Sequence, residues 1–293
     1  MLIIIVVGFC ITKAGMLTPK VRTELTNIVL YIILPCSIFE SFHKGITADT
    51  LKQCVVVLIV AFGLQFFYML LNRFLYVRFT PERRSILKYA TLVNNASFIG
   101  LPIISSVYGE IGVLYGSIIL VPLRIFMWTA GISQFTQTNR KQSIKIVATH
   151  PCILAVFLGL AYALIPYKLP AFLSGAIGFI GSSNVAISML VVGSILSDVD
   201  FRHMLDKDCF YYTFFRLLVI PAITFGVLLL LHLDPVTTGA IVLSSAMPAA
   251  TTAAMLSDKY GADSRFASKL ILISTMLSMV TLPVISYILT TVL

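Results

Sequence analysis

Charge is what this sequence of 293 residues has least of. Asp, Glu, Lys and Arg together make up 11% of it, where a soluble globular domain carries roughly 25%. Acidic residues are the scarcer kind, 12 against 21 basic ones. Each acidic residue falls at the end of an apolar segment or between two of them, so no carboxylate stands mid-segment as an obvious proton relay. The five cysteines include no CxxC pair and all lie in or beside apolar segments, which makes them small buried hydrophobes rather than metal ligands. His43, His150, His203 and His232 are scattered near segment ends, without HExxH or other metal-ligand spacing. GxSxG and P-loop motifs are absent too, so neither enzymatic hydrolysis nor transport driven by an ATPase domain of this chain is expected.

What remains is apolar. Hydrophobic residues make up 58% of the sequence and the mean hydropathy is +0.98. A chain of this size cannot bury that much apolar surface in water. Apolar stretches near the 20-residue length of a membrane helix recur along it. They predict an all-α integral membrane protein with about ten spans, at 1–17, 21–42, 51–75, 86–107, 112–135, 145–165, 169–196, 209–232, 236–257 and 267–291. The first is short, either incomplete or extending through Ala14-Gly15-Met16-Leu17. It lacks the charged n-region and cleavage site of a signal peptide.

Orientation follows from the basic residues. Apart from Lys44, Lys52, Lys168, Arg124 and Arg216, every Lys and Arg falls in an odd-numbered loop. Such an excess marks the cytoplasmic side, which leaves both termini outside. The net charge of +9 is therefore a topology signal, and nucleic acid is not an expected partner. The longest polar connection, around Gln137 to Ser143, divides the chain into five spans each side, 1–135 and 136–293. Tyr108-Gly109-Glu110 closes span four and Tyr260-Gly261-Ala262 closes span nine. A repeat of five spans is necessarily inverted in the membrane, a recurring plan among secondary transporters.

Spans four and nine carry unusual residues at membrane depth. One reads Asn94-Asn95-Ala96-Ser97-Phe98-Ile99-Gly100-Leu101-Pro102, the other Ser244-Ser245-Ala246-Met247-Pro248-Ala249-Ala250-Thr251-Thr252. Helix breakers free backbone groups that lipid cannot satisfy, so such breaks survive where they line a cavity or are buried in protein. A half-helix N-terminus offers free N–H groups and a positive dipole end, an anion site. Pro35, Pro122, Pro221 and Pro283 read as plain kinks. Two arginines lie within spans, Arg124 far from either end of span five and Arg216 about two turns into span eight. A buried guanidinium suits a carboxylate, and Arg124 is a candidate contact for an anion. Arg216 is near enough to an end to snorkel to the surface.

Taken together, certain residues make the sequence similar to the auxin efflux carrier family, which includes plant auxin exporters and bacterial malate- or malonate-type permeases. They are Asn27 with Leu34-Pro35, Asn95 to Ile103, His150-Pro151, Asn184 with Met189 to Gly193, Arg216 with Pro221, Met247-Pro248-Ala249 to Gly261, and Ser274-Thr275 with Leu282-Pro283. The resemblance implies two inverted five-helix repeats, a scaffold of spans one, two, six and seven, often dimeric, and an elevator-like transport domain of the rest. It also implies broken, crossing helices four and nine, with the substrate carboxylate beside the crossing. Asn95 and Asn184 match substrate-contacting asparagines, and Pro248 matches the crossover proline. Asn94 stands where plant members have proline, and Ala186 where many bacterial members do. The charged pair of span three in plant exporters has no counterpart between Leu51 and Tyr76, and there is no long central loop, as in bacterial members. The expectation is a bacterial inner-membrane secondary transporter of a small mono- or dicarboxylate. Asn94, Asn95, Ser97, Asn184, Pro248, Thr251 and Arg124 form its site, with no cofactor beyond a coupling proton or sodium ion. Two alternatives stand beside it: sodium-coupled uptake of a bulkier amphipathic acid, as in the similarly folded bile-acid symporters, and a ligand sensor that moves nothing.

Overall fold

The computed structural model describes residues 2–43, 48–136, 148–163, 169–197 and 206–293. The central polar connection and Lys44, Lys168, Asp198, Asp200, Arg202 and His203 lie outside these. The described residues form helices throughout, labelled α1 (Leu2–Lys13), α2 (Pro19–Phe42), α3 (Asp49–Phe74) and α4 (Pro81–Leu92). There follow α5 (Ala96–Gln134), α6 (Pro151–Ala163), α7 (Ala171–Ile195), α8 (Lys207–Leu230), α9 (Pro235–Ser245), α10 (Thr252–Lys259) and α11 (Ser264–Val292). Among the described residues six of these, α2, α3, α5, α7, α8 and α11, are long and apolar enough to cross a membrane, and α1, α6 and α9 are shorter apolar helices.

The chain's polarity is arranged inside out. Phe74, Phe172, Phe179, Leu230 and Val280 stand on the outside, while Asn94, Asn95, Asn184, Arg124 and Arg216 are buried. Lipid gives apolar side chains no reason to leave it, so close packing and internal hydrogen bonds hold such helices together. The α1–α7 pair shows the packing term: a Cβ added to Gly8 or Gly193 would collide with the carbonyl of Leu190 or Ile5. On the other side α3 lies against α5, α8 against α9 and α11, and α10 against α11. At one end of this group Arg83 ties three helix starts together. It donates to Asp208, lies 3.4 Å from Asp206 and 4.0 Å from Asp263, and stacks over the Phe266 ring. The Asp208 hydrogen bond pushes the Arg83 pKa above its ordinary value, with the neighbouring carboxylates adding to it.

Several expectations change in detail. The first helix stops at Lys13 rather than continuing to Leu17, because the chain turns at Gly15, whose φ is +79°. Spans four and five are joined at Gly109, whose φ of 63° and ψ of −146° bend α5 into limbs 96–108 and 110–134. Gly261 has φ +71° at the end of span nine. The matching Tyr-Gly elements thus place a glycine in the left-handed region in both halves, where its missing side chain removes the steric cost.

Pro102 is not a helix breaker. A wide π turn at Ala96–Gly100 ends two residues before it. Similar turns at Val29–Ile33 and Phe215–Val219 end two residues before Pro35 and Pro221. A proline ring in a regular helix clashes with the carbonyl four residues back. The wider turn moves that carbonyl aside, so the helix runs on. Pro122 and Pro283 sit inside helices without a preceding turn of this kind. Span seven, expected at 169–196, is interrupted at Ser183, between Ala171–Ser182 and Asn184–Ser197.

Candidate functional site

The two breaks meet. α4 ends at Leu92 and α5 begins at Ala96; α9 ends at Ser245 and α10 begins at Thr252. The unwound residues lie antiparallel, with Asn94 opposite Ala249. Asn95 N donates to the Pro248 carbonyl at 2.9 Å and Ala250 N to the Val93 carbonyl at 3.4 Å. Backbone groups that a broken helix leaves unsatisfied are thereby paired with the other break, as a low-dielectric setting requires. Pro248, lacking an N–H, fits here because its carbonyl alone takes part.

Four helix ends converge at this crossing, two C-terminal and two N-terminal. The carbonyl ends are capped by the protein itself. Arg216 donates from Nε to the Met247 carbonyl and from Nη1 to the Thr91 carbonyl, both at 3.0 Å. Its guanidinium lies over the Tyr68 ring. Tyr212 OH donates to the Ala90 carbonyl at 2.8 Å. The Asn94 Nδ2 donates to the Ser244 carbonyl, and its Oδ1 accepts from Ala96 N at 3.3 Å. Arg216 is 1% exposed, so it does not snorkel. It is a fixed cation at two negative dipole ends, where a positive charge is most stabilising. Carbonyl partners contributed by two distant breaks are invisible in the sequence around residue 216, and only its depth in an apolar span hints at a role.

The amide ends are different. Asn95, which precedes the first turn of α5, forms no side-chain cap. Its side chain is buried, and among the described residues it has no hydrogen-bond partner. Two residues on, Ser97 Oγ accepts from Arg124 Nη2 at 2.9 Å. Arg124 is buried, its Nη1 reaches Met127 Sδ at 3.4 Å, and its Nε has no partner among the described residues. A buried guanidinium held by a hydroxyl and a thioether retains unspent charge and an unused donor. At the start of α10, Tyr89 OH and Thr252 Oγ1 are 2.8 Å apart.

The expected site residues thus fall into three groups. Asn94, Asn95 and Pro248 meet at the crossing, and Ser97 joins Arg124 beside it. Asn184 opens the second part of α7, which touches the 96–100 turn. Asn184 is buried, its Oδ1 accepts from Ser188 Oγ, and it lines a cavity of about 610 Å³. Thr251, in the second break, is exposed. A second, largely apolar cavity of about 440 Å³ lies between α1 and the second part of α7 on one side and α5 and α11 on the other, with Ile5, Met189, Ile99 and Leu282 in its wall.

Two crossing helix breaks with a buried, partly unspent arginine beside them are features of a membrane transport site. A family model described as membrane transport protein matches residues 1–286. The chain belongs to this family of auxin efflux carrier-type membrane transporters. Among curated proteins, it is 24% identical over 206 residues to an uncharacterized transporter, MJ1031, of Methanocaldococcus jannaschii, a match covering 67% of each chain. Family membership makes the protein a multi-pass membrane transporter, in keeping with its apolar helices.

Proposed function

We propose that this family member is a secondary transporter of a small organic anion, bound by its carboxylate at the amide side of the crossing. One observation carries this reading. The carbonyl ends of the broken helices receive donors from Arg216, Tyr212 and Asn94, whereas beside the amide end of α5 the Asn95 side chain and the Arg124 Nε stay uncommitted among the described residues. Helix N-termini and guanidinium groups both select anions. Asn95 and Asn184 contact the substrate, while Asn94 serves the backbone.

In the same reading the chain is two inverted five-helix repeats, 1–135 and 136–293. Its paired breaks and the positive-φ glycines Gly109 and Gly261 of the matching Tyr-Gly elements support this. The packing of α1, α2, α6 and α7 with one another supports a scaffold, against which the other helices move as an elevator. The apolar 440 Å³ cavity beside the 96–100 turn favours a second reading, an amphipathic acid whose hydrocarbon part lodges there.

The test is uptake of labelled malonate, malate and indole-3-acetate into proteoliposomes. Asn95→Ala and Asn184→Ala are expected to lower uptake at least about tenfold, because a buried donor to a charged group is worth roughly 1.5–3 kcal/mol. Their thermal unfolding should stay close to that of the parent. Unchanged uptake in both variants would remove the site assignment, and saturable binding without flux would mark a sensor.

A further inference from the structure

The two cavities differ in the chemistry of their walls. The 440 Å³ one is largely apolar, whereas the 610 Å³ one, which holds Asn184, carries hydroxyl groups from three helices. Ser37 comes from α2, Ser105 from the first limb of α5 and Ser174 from the first part of α7. A helical serine can turn its hydroxyl back onto a carbonyl of the preceding turn. Ser41 and Ser182 do so in this same wall, donating to the Ile38 and Phe179 carbonyls at 2.6 and 2.9 Å. Ser37, Ser105 and Ser174 do not. They line the cavity, and among the described residues their hydroxyls have no partner.

Asn184 supplies an independent sign of a ligand. It opens the helix that restarts after Ser183, is 2% exposed and lines the same cavity. Its Oδ1 accepts from Ser188 Oγ, and among the described residues its Nδ2 has no partner. A donor this deep is costly to leave unmade, so it calls for an oxygen acceptor on a ligand. The serine hydroxyls add a second requirement, because each can both donate and accept. A hydrocarbon chain would strand all three of them, whereas a chain that carries hydroxyls of its own pairs with them in either direction. The volume lies within the range of small-molecule pockets, roughly 300–1,000 Å³. Glu40 and Glu110 also line the cavity and have polar interactions of their own; the pairing with the serines and Asn184 does not depend on them.

We propose that the substrate is a polyhydroxylated carboxylate of the sugar-acid class, its hydroxyl-bearing chain held in the 610 Å³ cavity by Ser37, Ser105, Ser174 and the Asn184 amide. This inference rests on the transport reading above, in which the carboxylate sits at the amide side of the crossing, and it names the rest of the substrate molecule.

The experiment follows thermal unfolding of the purified full-length protein with D-gluconate, D-galactonate and L-threonate. Hexanoate and butyrate serve as the hydroxyl-free acids of equal chain length. At least one hydroxy acid should raise the midpoint, with an apparent affinity at least about tenfold above that of its counterpart, since a site built to bond a substrate hydroxyl rejects the analogue without it. Ser37→Ala/Ser105→Ala/Ser174→Ala, which removes one oxygen at each position, should bring the two affinities together. The proposal is overturned if no hydroxy acid shifts the parent's midpoint or if the hydroxyl-free acid binds as well as its counterpart, and neither outcome requires a variant to fold. A preference that survives in the triple variant overturns it too. Labelled malonate uptake that depends on Asn95, with no response to any hydroxy acid, strikes the hydroxyl wall alone. A midpoint rise with the uncharged polyol D-glucitol equal to that with D-gluconate strikes the carboxylate reading, and the proposal with it.

Discussion

The carbonyl side and the amide side of the crossing are built from the same kind of broken helix, yet the protein treats them differently. On the carbonyl side Thr91, Ala90, Ser244 and Met247 each receive a side-chain donor from Arg216, Tyr212 or Asn94. On the amide side Asn95 makes no cap, and Arg124 leaves its Nε unpaired. The satisfaction is unequal rather than absolute, since Arg216 keeps a buried Nη2 without a partner among the described residues while Asn94 Oδ1 and Ser274 Oγ accept from Ala96 N and Ala249 N. A buried unmade hydrogen bond is costly, and in the proposed reading the donors left over beside α5 await an anion.

The contrast predicts unequal losses. The largest belongs to Arg216→Ala, which strands two buried carbonyls and empties the space over Tyr68. It should lower stability by about 2–6 kcal/mol, from roughly 1–3 kcal/mol per orphaned group, seen as early unfolding or failure to fold in detergent. Arg216→Lys should recover only part of this, because a single ammonium does not reproduce the guanidinium's planar reach to two carbonyls. If Arg216→Ala were as stable as the parent, the clamp would not be holding the crossing. Next comes Asn94→Ala, which removes one donor and one acceptor from the backbone and should cost about 1–2 kcal/mol. The smallest effect is expected away from the crossing. Asp208→Asn weakens a partly exposed contact with Arg83, so a loss within about 1 kcal/mol, reduced further by salt, should be measured.

Much of the crossing was legible in the sequence because helix breakers at membrane depth have few physical outcomes. Pro248 and the polar run from Asn94 marked both breaks, and Tyr-Gly pairs marked the turns at Gly109 and Gly261. Composition alone carried the helical membrane class. Pro102 misled, because a proline's effect depends on whether the preceding turn can widen, and that is settled by packing. Arg216 misled in another way. Distance from a span end suggests snorkelling, whereas its partners come from positions 91 and 247, 125 and 31 residues away. Glu40 and Glu110 were legible only as segment-end residues, since their shared cavity depends on the bend in α5 and the interruption of α7. The carboxylate role proposed for Asn95 and Asn184 came from the family resemblance; the structure adds that each retains uncommitted polar atoms.

The two adjacent asparagines allow the most direct test. Thermal unfolding of Asn94→Ala and Asn95→Ala should be compared with and without saturating malonate, malate or indole-3-acetate, using whichever stabilises the parent by mass action. Asn94→Ala should unfold earlier yet keep the ligand-induced rise, and Asn95→Ala should unfold like the parent yet lose that rise. The reverse pattern, with Asn95→Ala destabilised and still responsive and Asn94→Ala stable and unresponsive, would contradict the division of the crossing into a structural side and a binding side.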